Sequence, residues 1–308
     1  MIALTGATGV VGSALLGRLL EQGQEVRVLV RDPRRLGPNR IRVQITLGDL
    51  SNPVALRQLV RGAGAVVHLA ATIRDQPAGS IEELNGVATA RLLRYAAAAG
   101  VGRFVFFGAM GATPSSPTRF MRAKAAAERA VVESSLDATV LSPSIVYAPD
   151  DRWMKLLRRL SLLPAMPVSG TGQARYQPIW AQDVAACAHR VLQEGSPDGA
   201  RRLELAGPDV LTYEEIVRLA LAAWGRERRL VHVPLWMVRR GLRLLERVAG
   251  PSVFATWEEA QLMEVSMTTP DSTRDVRRLG VNPLPMAEVL GLAGGALPVA
   301  ALAPGLAS

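Results

Sequence analysis

The sequence predicts an α/β fold, a doubly wound parallel sheet with a small C-terminal cap, and three observations carry that reading. A short apolar run, Ile2 to Leu4, ends in a turn punctuated by Gly6, Gly9 and Gly12, and helical spacing begins at Val10. Strand and helix patterns then alternate as far as Leu141, as successive β-α units in a parallel sheet do. With 308 residues and 49% apolar content, the chain is long enough to bury one large core and a smaller attachment. The pattern divides into a Rossmann-type core over 1–150, remaining sheet elements and a discontinuous cap over 151–290, and a flexible apolar tail over 291–308.

The first strand, turn and helix form a cradle for a dinucleotide pyrophosphate. Gly6 permits the tight turn, Gly9 lets backbone approach the phosphates, and Gly12 lets the helix pack closely on the strand. The start of the helix offers unpaired N–H groups and a positive dipole end to an anion. Gly6, Thr8, Gly9, Val10, Val11 and Gly12 are therefore candidate cofactor-binding residues.

The second strand spans Glu25 to Val30, and Arg31-Asp32-Pro33-Arg34-Arg35 follows it. A site selective for NAD(H) places a carboxylate here for the ribose 2′-hydroxyl. Arg31 and Arg35 instead suit a 2′-phosphate, so NADP(H) is favoured over NAD(H), with Asp32 keeping NAD(H) open.

The alternation continues with a strand at Ile41 to Leu47, a helix from Pro53 to Arg61 and a strand from Ala65 to Leu69. A long helix at Ile81 to Ala99, a strand at Arg103 to Phe107, a helix at Thr118 to Ser135 and a strand at Ala138 to Leu141 complete it. The single Cys187, in a helix from Ala181 to Leu192, excludes a disulfide scaffold and reads as a buried thiol.

Thr5 to Gly12, Gly48-Asp49-Leu50, His68-Leu69-Ala70-Ala71 and Ser142-Pro143-Ser144-Ile145-Val146-Tyr147 occur in an order and spacing that resembles the extended or atypical short-chain dehydrogenase/reductases. Within these, the chain is similar to the NAD-dependent epimerase/dehydratase-like group. The arginine after the second strand and the segment Gln177 to Ala185 resemble the subgroup containing the NADPH-binding accessory subunit of respiratory complex I. That resemblance covers about residues 1–290 and implies that Asp49 and Leu50 flank the adenine. It implies equally that Ala70 and Ala71 line the dinucleotide and that Ser144, Ile145 and Val146 approach the nicotinamide.

The same resemblance implies a Tyr-x-x-x-Lys pair on one helix face, where the lysine lowers the phenol pKa and binds the nicotinamide ribose. This chain has Phe120-Met121-Arg122-Ala123-Lys124, so the lysine is present and the tyrosine is phenylalanine. Positions that carry serine in the family read Gly108-Ala109. Lys124 is the candidate that remains, as a ribose ligand, against the plainer reading of an exposed helix charge. Thr113, Ser115, Ser116 and Tyr147 are the hydroxyls that could stand in, each with a plainer role in loop capping or packing. His68 reads as strand-end structure, and no His, Cys and carboxylate cluster has metal-ligand spacing.

A net charge of +9 invites a nucleic-acid reading, but the basic residues are scattered with no compact basic run, and no such partner is expected. Trp153 to Leu163 and Leu235 to Val248 are basic amphipathic segments. They pack apolar faces inward, or else lie on an anionic bilayer or a respiratory complex. The uncharged stretch from Val289 onward is broken by Gly294, Gly295, Pro298 and Pro304, which argues against a spanning helix. The chain opens in its first strand with no charged leader, so a cytoplasmic protein is expected, with peripheral membrane contact as the second reading. Two functions follow: a cofactor-binding structural, assembly or sensing protein, or an NADP-dependent oxidoreductase or epimerase on an unknown small carbonyl, quinone or sugar-like molecule.

Overall fold

Strands buried on both faces need continuous apolar sequence, and the first strands of this chain have it: Leu4, Val28, Val66 and Val67 are all fully buried. The computed structural model describes residues 1–249 and 257–292, with side chains described for all of these except 243–249. In order, the first part runs β1 (Ile2–Thr5), α1 (Val10–Glu21), β2 (Val26–Val30), β3 (Gln44–Leu47), α2 (Pro53–Val60), β4 (Ala65–His68), α3 (Ala88–Ala98), β5 (Arg103–Phe107), α4 (Arg119–Val132) and β6 (Ala138–Pro143). There follow β7 (Val146–Tyr147), α5 (Arg152–Leu160), β8 (Ala165–Ser169), β9 (Arg175–Tyr176), β10 (Ile179–Trp180), α6 (Ala181–Glu194) and β11 (Arg202–Leu205). The last elements are β12 (Leu211–Thr212), α7 (Tyr213–Ala223), β13 (Arg229–Val233), α8 (Leu235–Ala249), α9 (Trp257–Leu262), α10 (Arg274–Arg278) and α11 (Met286–Val289).

The central sheet has seven strands in the order β11-β6-β5-β4-β1-β2-β3, and every pairing in it is parallel. Leu4 pairs with Val28 on one side and Val67 on the other. The chain therefore winds outward through β2 and β3, then returns to the other side of β1 for β4, β5 and β6. That reversal is the switch point at whose carboxyl strand ends α/β folds hold ligands. Helices α1 and α6 pack together, and α2, α3 and α4 pack as a row, the two-faced cover that a doubly wound sheet requires.

Several element boundaries differ from the sequence reading. The third strand does not start at Ile41, because Pro33–Arg42 forms 3-10 turns interrupted at Gly37 (φ 55°). The Asp32 carboxylate caps this segment by accepting from the Arg34 amide, and Arg42 donates to the Leu20 carbonyl. Ile41 is left 88% exposed, so strand pairing begins only at Gln44. The long helix after β4 carries a π turn at Glu83–Val87, a feature that apolar spacing does not reveal.

The chain divides into two compact units, one of residues 1–143, 181–205 and 273–282 and the other of 144–180, 206–272 and 283–308. The first holds the whole seven-stranded sheet. The second contains three two-stranded pairs, β7 with β10, β9 with β12 and β8 with β13. In that unit α5 buries Met154 and Leu157, and the Trp153 and Tyr213 rings stack at 6.4 Å. Thr212 caps α7 through the expected reciprocal box with Glu215. The first turn of α8 leaves Trp236 61% and Met237 48% exposed. The expected apolar tail from residue 293 onward, and the side chains of the second half of α8, lie outside the described residues. No described helix is long and apolar enough to cross a membrane.

Candidate functional site

A cavity of about 430 Å³ opens at the carboxyl ends of β1, β2 and β4, a volume within the range of small-molecule sites. It brings together Gly6, Thr8, Gly9, Arg31, Arg35, Asp49, Leu50, Ala70 and Ala71 from the sequence candidates, and adds Asp32, Thr72, Gln76 and Ala78. Residues as far apart in sequence as Gly6 and Ala78 meet here because parallel crossovers return every strand end to the same edge.

The turn after β1 is built for backbone rather than side chains. Gly6 sits at φ +77°, where a β-carbon would also lie 2.6 Å from the Ala70 nitrogen. A β-carbon on Gly12 would lie 2.0 Å from the Gly6 carbonyl oxygen, so α1 approaches β1 as closely as glycine allows. Gly9 donates its N–H to the Gly6 carbonyl at 2.9 Å and stands at the N-cap of α1 with no side-chain cap. The amides of Val10, Val11 and Gly12 begin the helix there, and an anion is the natural partner for such a terminus. The cradle fits a dinucleotide pyrophosphate.

At the β2 end, Arg31 donates to the Gln76 side-chain oxygen at 2.6 Å. Asp32 is engaged by its own neighbour: its carboxylate takes the Arg34 amide at 3.0 Å and the Arg34 guanidinium at 2.9 Å. Those contacts hold the Asp32 carboxyl below its ordinary range. Asp49 accepts from the amide and hydroxyl of Ser51 at 2.9 and 2.6 Å, while Leu50 is buried.

His68 closes β4 as a structural group. Its ring is fully buried, bonded to the Thr5 hydroxyl at 2.6 Å and the Thr89 hydroxyl at 3.0 Å. Burial, and secondarily the charge of Lys124, pushes its pKa down to about 3, so it is neutral at physiological pH. Thr5 also accepts from the Ala70 amide at 3.2 Å, which ties the glycine turn to the β4 end.

Lys124 corrects one reading: it is 3% exposed, not an exposed helix charge. Its ammonium donates to the Phe107 carbonyl at 2.6 Å and lies 4.8 Å from the Phe106 ring centroid and 5.9 Å from that of Phe120. Desolvation pulls its pKa down to about 8, against the attraction of Glu128. One turn on, Glu128 is 5% exposed, accepts from the Ala109 amide at 2.9 Å and lies 3.5 Å from Arg202. Burial raises its pKa, with the Ala109 amide and then Arg202 opposing.

Lys124 is not among the residues lining the cavity. Ser144, Ile145 and Val146 belong to the second unit, where the Ser144 hydroxyl donates to the Met267 carbonyl at 2.7 Å and accepts from the Gln177 amide at 3.0 Å. Tyr147 is fully buried in the same unit. Thr113, Ser115 and Ser116 bond to one another within their loop. Cys187 is buried, and its thiol is pushed up to about 12 by that burial and then by Asp183. Among the described residues no group of His, Cys, Asp and Glu could hold a metal ion.

Sequence reasoning missed Thr72, Gln76 and Asn85. Asn85 lies in the π turn and fixes Thr72 by accepting its amide at 3.1 Å and donating to its carbonyl at 2.8 Å. The only available signal was a buried-type asparagine in an apolar helix face, which has no defined partner until the loop is folded.

Comparison with known proteins places these features among relatives. Residues 6–194 match the family described as NAD(P)H-binding. The chain is 30% identical over 278 residues to the ceramide reductase of Caulobacter vibrioides, covering 87% of this chain and 86% of that one. It is 29% identical over 226 residues to the mitochondrial NADH dehydrogenase [ubiquinone] 1 alpha subcomplex subunit 9 of Arabidopsis thaliana, covering 70% of this chain but only 55% of the relative's length. Among solved structures, the NADPH complex of an NADPH-dependent quinone oxidoreductase from Escherichia coli superposes with a TM-score of 0.70 at 18% identity, covering 94% of this chain and 98% of that one. A UDP-glucose 4-epimerase from Thermotoga maritima gives a TM-score of 0.72 at 18% identity, with coverage of 94% and 96%. At such identities the structural likeness shows the fold.

Proposed function

This chain belongs to the NAD(P)H-binding family, and from that premise we propose that it holds NADP(H) in the cavity at the β1 turn as an atypical short-chain dehydrogenase/reductase-like protein without the usual proton donor. In this reading the bound nucleotide serves a structural, assembly or sensing role. The observation that carries it is the pair Phe120 and Lys124. A phenyl ring stands where the resemblance expects a phenol, and the lysine ammonium is sequestered on the Phe107 carbonyl. Phenylalanine has no proton to give, and neither Gly108 nor Ala109 offers a side-chain hydrogen bond to a substrate oxygen.

Support for NADP(H) over NAD(H) comes from Arg31 and Arg35 lining the cavity while the Asp32 carboxylate is engaged by Arg34. The relatives named as complex I subunits make attachment to a respiratory complex part of the proposal, and the exposed Trp236 and Met237 beside Arg239 and Arg240 extend it to a peripheral membrane contact.

A second reading is favoured by the Caulobacter relative: a reductase acting on a ceramide-like lipid or a quinone, with its proton taken from water or another group. Hydride transfer is the cofactor's own chemistry, so it survives the loss of tyrosine. Calorimetric titration of nucleotide-free protein with NADPH and then NADH, followed by a carbonyl and quinone panel with the preferred nucleotide, separates the readings. Tight NADPH binding with no turnover is the expected result. Turnover of a panel member establishes the reductase instead, and no binding of either nucleotide sinks both.

A further inference from the structure

Arg31 is held in place by an uncharged partner. Its guanidinium donates to Oε1 of Gln76 at 2.6 Å, and Nε2 of Gln76 donates to the Thr72 hydroxyl oxygen at 3.0 Å. The orientation of that amide is dictated at both ends. A guanidinium has only donors, so it requires the amide oxygen. The Thr72 hydroxyl spends its proton on the Arg74 carbonyl at 2.7 Å, so toward Gln76 it can only accept.

The loop that carries Gln76 is equally constrained. Gln76 and Gly79 exchange both backbone hydrogen bonds at 3.0 Å, closing a tight hairpin. Arg119 reaches Asp75 at 2.8 Å and Glu82 at 2.6 Å, which clasps the hairpin on either side. Asn85 fixes Thr72 by its backbone. Gln76, Arg31 and Arg35 all line the cavity. The position of the Arg31 head group is thus set by a braced loop, and its full positive charge is left for a ligand.

We propose that Gln76 is a positioning residue that determines cofactor choice: it pre-orients Arg31 toward a ribose 2′-phosphate without neutralising it. This rests on the reading that the cavity takes NADP(H). Glutamine and glutamate have the same shape, so the difference between them at this position is charge. A carboxylate there pairs with Arg31 and repels a 2′-phosphate, while still accepting from a 2′-hydroxyl.

The test is calorimetric titration of the full chain and of Gln76→Glu, Gln76→Ala and Arg31→Ala. The probes are NADPH, NADH and, to isolate the adenosine end, adenosine 2′,5′-bisphosphate against adenosine 5′-monophosphate. Thermal unfolding of each variant checks that it is folded. Gln76→Glu is expected to weaken NADPH and the bisphosphate by at least about tenfold and to leave NADH within about twofold, and Gln76→Ala to weaken NADPH with the same selectivity. Wild-type preference for NADPH that persists unchanged in Gln76→Glu overturns the inference alone. So does an equal loss of both nucleotides, which makes Gln76 a brace for the loop. Wild-type protein that binds NADH as well as NADPH, or an Arg31→Ala variant that keeps the preference, overturns the NADP(H) reading and the inference with it.

Discussion

Glu128 occupies the space that a side chain at position 108 would need. A β-carbon on Gly108 would lie 2.2 Å from Oε1 of Glu128 and 2.8 Å from the Ser142 hydroxyl. Gly108, where the resemblance implies serine, is therefore coupled to a buried carboxylate on α4, which itself satisfies the Ala109 amide. Restoring a hydroxyl at this position is a matter of volume as well as chemistry.

Gly108→Ser should overpack this contact and cost about 1–3 kcal/mol of stability. Glu128→Ala should cost a similar amount, about 1–3 kcal/mol, because the Ala109 amide is left unsatisfied. Since the two changes act on one contact, the double variant should be more stable than the sum predicts by about 1 kcal/mol. Urea unfolding of the four proteins measures this, and strict additivity would show that the contact is not shared.

Phe120→Tyr places a phenol on the helix face of Lys124, whose ammonium is 5.9 Å from the ring centroid. With NADPH and a carbonyl panel, turnover should appear at least about tenfold above the wild-type background, because a positioned proton donor is supplied. Unchanged turnover, with NADPH binding intact, would locate the block elsewhere, at Gly108 and Ala109 first.

Lys124 should leave a signature in the pH dependence of stability. The folded protein releases this proton near pH 8, whereas the ordinary lysine value is 10.5. Between those values the unfolded chain binds more protons, so stability should rise with pH across that window, and the cost of burying the ammonium is fully present below it. The difference between wild type and Lys124→Met, followed by chemical denaturation from pH 7 to 11, isolates the effect from other groups. A flat difference would mean that the ammonium keeps its solvation.

His68 predicts an effect of the same sign in acid. Its folded value is pulled down to about 3 from 6.5, so its contribution is complete above pH 6.5 and is lost as pH falls toward 3. His68→Asn should lose less stability than wild type over that interval, and parallel curves would contradict the burial argument.

Gly12→Ala tests the cradle. The added methyl would meet the Gly6 carbonyl at 2.0 Å, forcing α1 away from β1. Nucleotide affinity should fall at least about tenfold, with stability lowered by about 1–3 kcal/mol. Wild-type affinity in a folded variant would remove the turn from the binding site.

Much of the fold was legible in the residues because its determinants are local. Gly6, Gly9 and Gly12 report a turn whether or not the sheet is known, and alternating apolar runs report parallel strands buried on both faces. The start of β3 was not legible. Ile41 is apolar, yet Arg42 finds the Leu20 carbonyl and the Asp32 cap favours 3-10 turns, so local hydrogen bonding outweighs one apolar residue. The π turn that places Asn85 escaped for a different reason, since its partner Thr72 meets it only once the loop between them has folded.

By itself the sequence determined the doubly wound parallel sheet as a class, the glycine cradle, the arginine after β2 and the absence of tyrosine at position 120, all properties of residue type at fixed spacing. Only the tertiary structure decided that Lys124 is buried on the Phe107 carbonyl, that Glu128 fills the space at Gly108, and that Gln76 holds Arg31. Burial and hydrogen-bond partners between residues distant in sequence depend on how the crossovers stack the strand ends, and no local pattern encodes them.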